Sequence, residues 1–311
     1  MPALASSLPP YPPPPPSPPS RRKHPVALAF QKITTNTMSS ITATTKGASD
    51  KVRSRIMELS WRQKFSLEDV YPCSFTVPGS HPTIDFRIEQ TQMGEQRGGG
   101  TGGVVWNASH VLAAFLCREA REGRAHLAEN CRVCDLGCGA GLGGLVAAAL
   151  AREGEVTFAD VGPVLDLARR NIEENRDRNG NNITAACAVR EYWWGSGSLG
   201  AGLFDVVLVA DCILPKLYPI PPLVAAIAEL LTPFGKCFVS YEHRTWFEFD
   251  PREEFRRVCG ERGMVVERVE EGRMDEVYRG EDVEVWVVTR RGGGREEGGG
   301  GGGELRRGES G

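Results

Sequence analysis

The sequence predicts an α/β fold with a doubly wound, mostly parallel sheet, and three observations carry that expectation. Strand-like and helix-like apolar periods alternate from Val104 to Thr289. Residues 133 to 144 read V-C-D-L-G-C-G-A-G-L-G-G, an apolar strand running through an acid into a glycine-rich turn and then a helix. Acids stand at the ends of three apolar strands, Asp135, Asp160 and Asp211, and in open α/β sheets ligands bind outside those carboxyl ends.

Taken in order, Ser109 to Arg121 carries Val111, Leu112, Phe115 and Leu116 at helical spacing. Arg132 to Leu136 is the strand that feeds the glycines, and Leu142 to Arg152 is an Ala/Leu/Val helix. Val156 to Phe158 is a short strand closed by Asp160; Val164 to Asn175 then has apolar residues at 164, 165, 167, 168 and 172, a helix ending in Asn/Gly-rich turns. Phe204 to Ala210, F-D-V-V-L-V-A, is an apolar strand but for Asp205, as befits one buried on both faces. A helix over Leu223 to Leu231 follows the prolines at 219, 221 and 222, T-P-F-G turns the chain, and Lys236 to Tyr241 is another strand. Pro251 to Arg262 is helical, with proline early, where its missing N–H costs nothing. Met264 to Val269 and Val283 to Thr289 form a final strand pair, and no internal repeat is present.

Both ends read differently. Residues 1 to 60 are expected to be a disordered Pro/Ser/Thr-rich extension; its first 49 residues hold the run Pro12 to Pro16 and five basic residues but no acid. An acid-free, Arg-containing start has some transit-peptide character, a plain extension with Met38 as an alternative start being the other reading. Residues 292 to 311 read as a glycine-rich flexible tail, leaving one folded domain over 61 to 291. Without the five basic residues of the first 49, the net charge of −3 becomes −8. So acidic a core argues against nucleic acid as the substrate and suits a basic protein segment. The nine cysteines are odd in number and scattered in apolar segments, buried thiols of a reducing compartment. Cys131 and Cys134 form a C-x-x-C with no second pair, no metal cluster has the required spacing, and no apolar run reaches the ~18 residues of a membrane span.

The turn needs discrimination. Gly139, Gly141 and Gly144 satisfy a bare G-x-G-x-x-G, so a dinucleotide is one reading and a ligand-free turn another. A phosphate-binding P-loop is excluded, because no Lys follows the glycines. Asp135, two residues before Gly137, would repel a pyrophosphate but favour the ammonium and sulfonium charges of S-adenosyl-L-methionine, which is the preferred reading. Asp160 falls where a doubly wound fold places a carboxylate against ribose hydroxyls, or else caps the following helix. Asp211 ends a buried strand and is expected to orient an acceptor amine rather than act as a strong base, or to be a structural acid. Trp106, Tyr192, Trp193, Trp194, Tyr218 and Tyr241 surround this region, each as open to core or surface packing as to ligand contact, with Trp194 a candidate to stack on adenine. Glu242, His243 and Arg244 follow the strand ending at Tyr241, and His243 is expected at the site wall.

V-V-W-N-A-S-H-V-L-A-A-F-L, D-L-G-C-G-A-G-L-G-G, the W-G pair at 194 and 195, A-D-C-I-L and S-Y-E-H-R closely resemble, in order and spacing, the family 16 lysine methyltransferases over about residues 70 to 290. That resemblance implies a Rossmann-like doubly wound seven-strand sheet, mostly parallel with an antiparallel last strand, and S-adenosyl-L-methionine as cofactor. It implicates Trp106, Asp135, Gly137, Gly139, Gly141, Asp160, Trp194 and Ala210 in cofactor binding. It places Asp211 at the head of the family's D-x-x-Y motif; this chain has Leu214 in the tyrosine slot, and Tyr218 is the candidate to supply the hydroxyl. Asn107 stands where an Asp is common. The implied function is transfer of a methyl to a lysine of a soluble protein, such as a chaperone, an ATPase or a translation factor, by a monomer in the cytoplasm, or in a chloroplast or mitochondrion if the start is a transit peptide. Two other readings stand beside it: a small-molecule methyltransferase, and an adaptor of the same fold that binds proteins through its proline run.

Overall fold

In the computed structural model the chain runs β1 (Val70–Phe75), β2 (Ile84–Glu89), α1 (Asn107–Arg121), β3 (Arg132–Leu136), α2 (Leu142–Leu150), β4 (Glu155–Asp160), α3 (Gly162–Asn175), β5 (Ala186–Glu191), β6 (Phe204–Ala210), α4 (Ile220–Leu230), β7 (Leu231–Glu242), α5 (Pro251–Glu261), β8 (Met264–Arg268) and β9 (Val283–Arg290). The structure describes residues 70–75, 83–91 and 101–292, except 126, 128–129, 152, 177–182, 184, 198, 215–217 and 245–249. The expected extension over 1 to 60 and the tail from 293 lie outside the described residues.

Seven strands share one sheet in the order β5-β4-β3-β6-β7-β9-β8. β3 to β7 pair in parallel, and β9 enters antiparallel between β7 and β8. This is the Rossmann-like arrangement, with the antiparallel strand last in the chain. The chain builds outward from β3 through β4 to β5, then returns to lay β6 on the other side of β3. That reversal makes the carboxyl ends of β3 and β6 the switch point of the sheet.

Alternation along the strands sorts the core into two layers. Val133, Val206, Leu208 and Phe238 pack with α1 and α2 on one face, while Cys134, Leu136, Val207 and Val209 pack with α4 and α5 on the other. Both faces are covered, which is why β6 is apolar at every central position. Within α2, Gly144 lets the helix approach β4 closely: a Cβ there would lie 2.3 Å from Phe158 Cε1.

Several boundaries differ from expectation. The antiparallel hairpin β1–β2 was not anticipated, although I-D-F-R-I-E alternates with a buried-exposed period of two. β5, left undelimited by its pattern, is an edge strand of half-exposed residues without the apolar run of a central one. α4 starts at Ile220, with Pro221 and Pro222 in its first turn. T-P-F-G is no free turn but a register shift inside β7: Leu231 pairs with Phe204 and Lys236 with Val206, so Thr232 to Gly235 loop out of the ladder.

Gly144→Ala should destabilise the fold by about 1 to 3 kcal/mol in urea unfolding, because overpacking against the Phe158 ring outweighs the helix preference for alanine. A gain in stability would show that α2 and β4 have slack.

Candidate active site

At the switch point, three glycines take backbone conformations that other residues rarely adopt: Gly137 at φ 72°, Gly139 at 54° and Gly141 at 88°. Space is as restrictive as conformation. A Cβ on Gly137 would stand 2.8 Å from Cys212 Sγ, and one on Gly139 would stand 3.0 Å from the Gly102 carbonyl. The turn is held from β4, where the Ala159 carbonyl accepts from Gly137 N at 2.8 Å and the Asp160 carboxylate accepts from Gly139 N at 2.8 Å. Asp160 also accepts from Val161 N at 2.7 Å and stands, largely buried, on the cavity wall. Burial raises its pKa, opposed by those two amides.

Asp135 is placed differently from expectation. It is 2% exposed, absent from the cavity lining, and its carboxylate accepts from Gly144 N at 2.7 Å, inside the first turn of α2. Burial pushes its pKa up to about 7, the Gly144 amide opposing and Asp160 adding to the rise. It holds the start of the helix from behind and has no surface on the cavity.

Asp211 closes β6 in a left-handed conformation, φ 57°, at 4% exposure. Both its oxygens are taken by Arg244, at 2.8 and 2.5 Å. Burial opposes the charge on Arg244, but Asp211 more than offsets it and the pKa is raised. Glu242 stands beside the pair, 3.5 Å from Arg244 and accepting from Asn107 Nδ2 at 3.2 Å; burial and Asp211 raise its pKa. Arg244 also lies over the ring of Trp106 at 5.8 Å, so α1, β6 and the end of β7 meet in one cluster.

Tyr218 lines the cavity, its N–H donating to the Leu214 carbonyl at 2.7 Å. Its hydroxyl shares a hydrogen bond with Thr101 Oγ1, and its ring meets Trp194 edge-on with centroids 5.6 Å apart. Burial raises its pKa. Thr101, which the sequence offered no motif to single out, also accepts from Trp106 Nε1 at 2.9 Å through its carbonyl. It joins two aromatics across the cavity.

Trp106, Gly137, Gly139, Gly141, Asp160, Trp194, Ala210, Asp211 and Tyr218 all line one cavity of about 510 Å³, within the usual range for small-molecule sites. Tyr241, for which packing was as open a reading as ligand contact, is buried away from the cavity, stacked 5.6 Å from Trp286. One other expectation is corrected. His243 is no part of the wall: it pairs with Glu284 at 3.0 Å. Among the described residues no group of His, Cys, Asp and Glu is gathered as a metal ion requires, and no helix is long and apolar enough to cross a membrane. The Cys138 and Cys212 thiols at the cavity are kept protonated by burial, which argues against thiolate chemistry.

A family model described as lysine methyltransferase matches residues 87–255. The chain belongs to the lysine methyltransferase family. Among curated proteins it is similar to the protein N-lysine methyltransferase METTL21A of Mus musculus, 35% identical over 133 residues that make up 42% of this chain and 54% of that protein. It is also similar to the calmodulin-lysine N-methyltransferase of Arabidopsis thaliana, 34% identical over 36% of this chain and 35% of that protein. The match thus spans about half the length of the first relative and less of the second. Of solved structures, a TehB-like SAM-dependent methyltransferase from Corynebacterium glutamicum aligns at 21% identity over 56% of this chain and 88% of its own, with a TM-score of 0.42. The family's methyl donor is S-adenosyl-L-methionine, and the cradle fits it: Cβ-free backbone for close approach, the largely buried Asp160 at the cavity wall one strand over, and an indole at the wall.

The raised pKa of Asp135 gives stability a sign. Between about pH 4 and pH 7 the folded chain holds a proton that the unfolded chain has lost, so this carboxyl costs stability as pH rises through that window. Asp135→Asn keeps an acceptor for Gly144 N and removes the titration. Urea unfolding at pH 4.5 and pH 8 should show the wild type losing on the order of a few kcal/mol relative to the variant. A wild-type-to-variant difference independent of pH would mean that Asp135 is ionised throughout.

Proposed function

We propose that this chain is an S-adenosyl-L-methionine-dependent protein-lysine N-methyltransferase, on the single observation that one apolar-walled cavity joins the glycine cradle to Asp211, itself paired with Arg244 behind the wall. When bound, the cofactor supplies an electrophilic methyl carried on a sulfonium. Asp160 would hold its ribose hydroxyls, Trp106 and Trp194 would contact it from the cavity wall, and the glycine turn and Ala210 would let it approach the backbone.

The acceptor amine must be neutral to react, and an unperturbed lysine has a pKa near 10.4. Desolvation in an apolar cavity lowers that value, whereas a bare carboxylate would raise it. Arg244 neutralises Asp211, so Asp211 orients the amine without holding it as an ammonium. The Tyr218 hydroxyl, at the cavity wall, supplies the second polar contact in place of the tyrosine missing at Leu214.

The activities for which the mouse and Arabidopsis relatives are named support a lysine in a protein as acceptor. The acidic balance of the chain outside its first 49 residues favours a basic segment around that lysine. We place the acceptor among soluble proteins of the chaperone, ATPase or translation-factor kind that the family resemblance implies. The enzyme acts as a monomer in the cytoplasm, an organelle being the alternative if the acid-free start is a transit peptide.

Incubating the purified chain with radiolabelled S-adenosyl-L-methionine and a cell lysate should label a protein band whose label is recovered as methyl-lysine. Label on small molecules alone would assign a different acceptor, and cofactor binding without transfer would make the chain an adaptor. Asp211→Asn should lower transfer by about a hundredfold or more, as misorientation of reactants does, while calorimetry with S-adenosylhomocysteine shows affinity unchanged. Normal turnover in that variant would remove Asp211 from the mechanism.

A further inference from the structure

Two buried asparagines on α3 stand where a neighbouring strand would stand beside β2. Asn171 and Asn175 are four apart on a helix, a spacing of about 6 Å along its axis, and Arg87 and Glu89 are two apart on a strand, about 6.6 Å. The two repeats match. A carboxamide carries a donor and an acceptor as a peptide group does. Asn175 Oδ1 accepts from Arg87 N at 2.8 Å and its Nδ2 donates to the Arg87 carbonyl at 2.8 Å. Asn171 Oδ1 accepts from Glu89 N at 2.8 Å and its Nδ2 donates to the Glu89 carbonyl at 2.9 Å.

The two differ in where the remaining proton goes. Asn175 gives it to the Asn171 carbonyl of its own helix at 2.7 Å. Asn171 gives it to the Ala140 carbonyl at 2.8 Å, and Ala140 lies inside the glycine turn on the cavity wall. One carboxamide therefore spans the edge of the hairpin and the cradle. A second connection runs alongside: Thr91 N donates to the Gly103 carbonyl at 2.7 Å, and the adjoining Gly102 packs on Gly139.

We propose that Asn171 is a positioning residue that couples the order of the N-terminal hairpin to occupancy of the cradle. The coupling rests on the reading of the cavity as the S-adenosyl site. Fixing the Ala140 carbonyl fixes the carboxamide, and the carboxamide fixes the outer edge of β2. By linkage, a hairpin held in place strengthens cofactor binding by the same factor.

Hydrogen exchange at the Arg87 and Glu89 amides tests this in the full chain, with and without S-adenosylhomocysteine, after calorimetry has established binding. Asn171→Asp and Asn175→Asp each keep the acceptor and lose the donor, so they carry similar structural penalties. In the wild type the ligand should slow exchange at both amides by about tenfold or more, the scale of one net hydrogen bond. Asn171→Asp should bind about tenfold more weakly and lose the exchange response, whereas Asn175→Asp, although less heat-stable, should bind within about twofold of wild type. Equal weakening by both variants, or wild-type exchange indifferent to the ligand, overturns the coupling. The wild-type comparison decides even if Asn171→Asp does not fold. Failure of the wild type to bind S-adenosylhomocysteine at all would sink the cofactor reading itself, and calorimetry registers that separately from a lost exchange response.

Discussion

The left-handed turn between β3 and α2 is the constraint to which the rest of the site conforms. Its φ values of 72°, 54° and 88° at Gly137, Gly139 and Gly141 admit only glycine without strain, and neighbours leave no room for a side chain. Five separate parts of the chain are packed or bonded to it: Ala159 and Asp160 from β4, Trp194 after β5, Cys212 after β6, Gly102 before α1, and Asn171 from α3. The turn fixes where the segment over 101 to 106 lies. That segment in turn carries Thr101 and Trp106 to the cavity.

Charge at the site is managed by pairing and burial. Asp211 spends both oxygens on Arg244, Asp135 is driven toward its neutral form, and Glu242 is pushed the same way by burial and Asp211. The switch point thus holds four carboxyls with Asp160, yet their repulsion is limited by one guanidinium and by proton uptake. Asp160 and Asp211 thus face the cavity with their hydrogen bonds already made, a preorganised arrangement of charge.

Much of this was legible in the chain. The alternation of apolar runs predicted the parallel core because burial on both faces makes β6 apolar from Val206 to Ala210. The glycines and the acids Asp160 and Asp211 were legible because strand ends in a doubly wound sheet are where ligands go. Other features were hidden for physical reasons. Asp135 looked like a ligand contact because spacing along a strand does not say which side of the turn a carboxylate faces. Arg244 lies 33 residues from Asp211, and only the pairing of β6 with β7 brings them together. β5 carried no apolar signal because an edge strand buries little. Asn171 and Asn175 read as the polar end of a helix, since nothing in their spacing names the strand they serve.

Asparagines replacing a strand along the outer edge of β2 also bear on how the molecule behaves in a crowded solution. An open strand edge is a template onto which another chain can add, and proteins commonly blunt such edges with charge, proline or bulges. Here a side-chain carboxamide takes up the hydrogen-bonding groups of Arg87 and another those of Glu89. Over Arg87 and Glu89 this edge is closed to intermolecular pairing from within the fold, at the cost of only two helical positions.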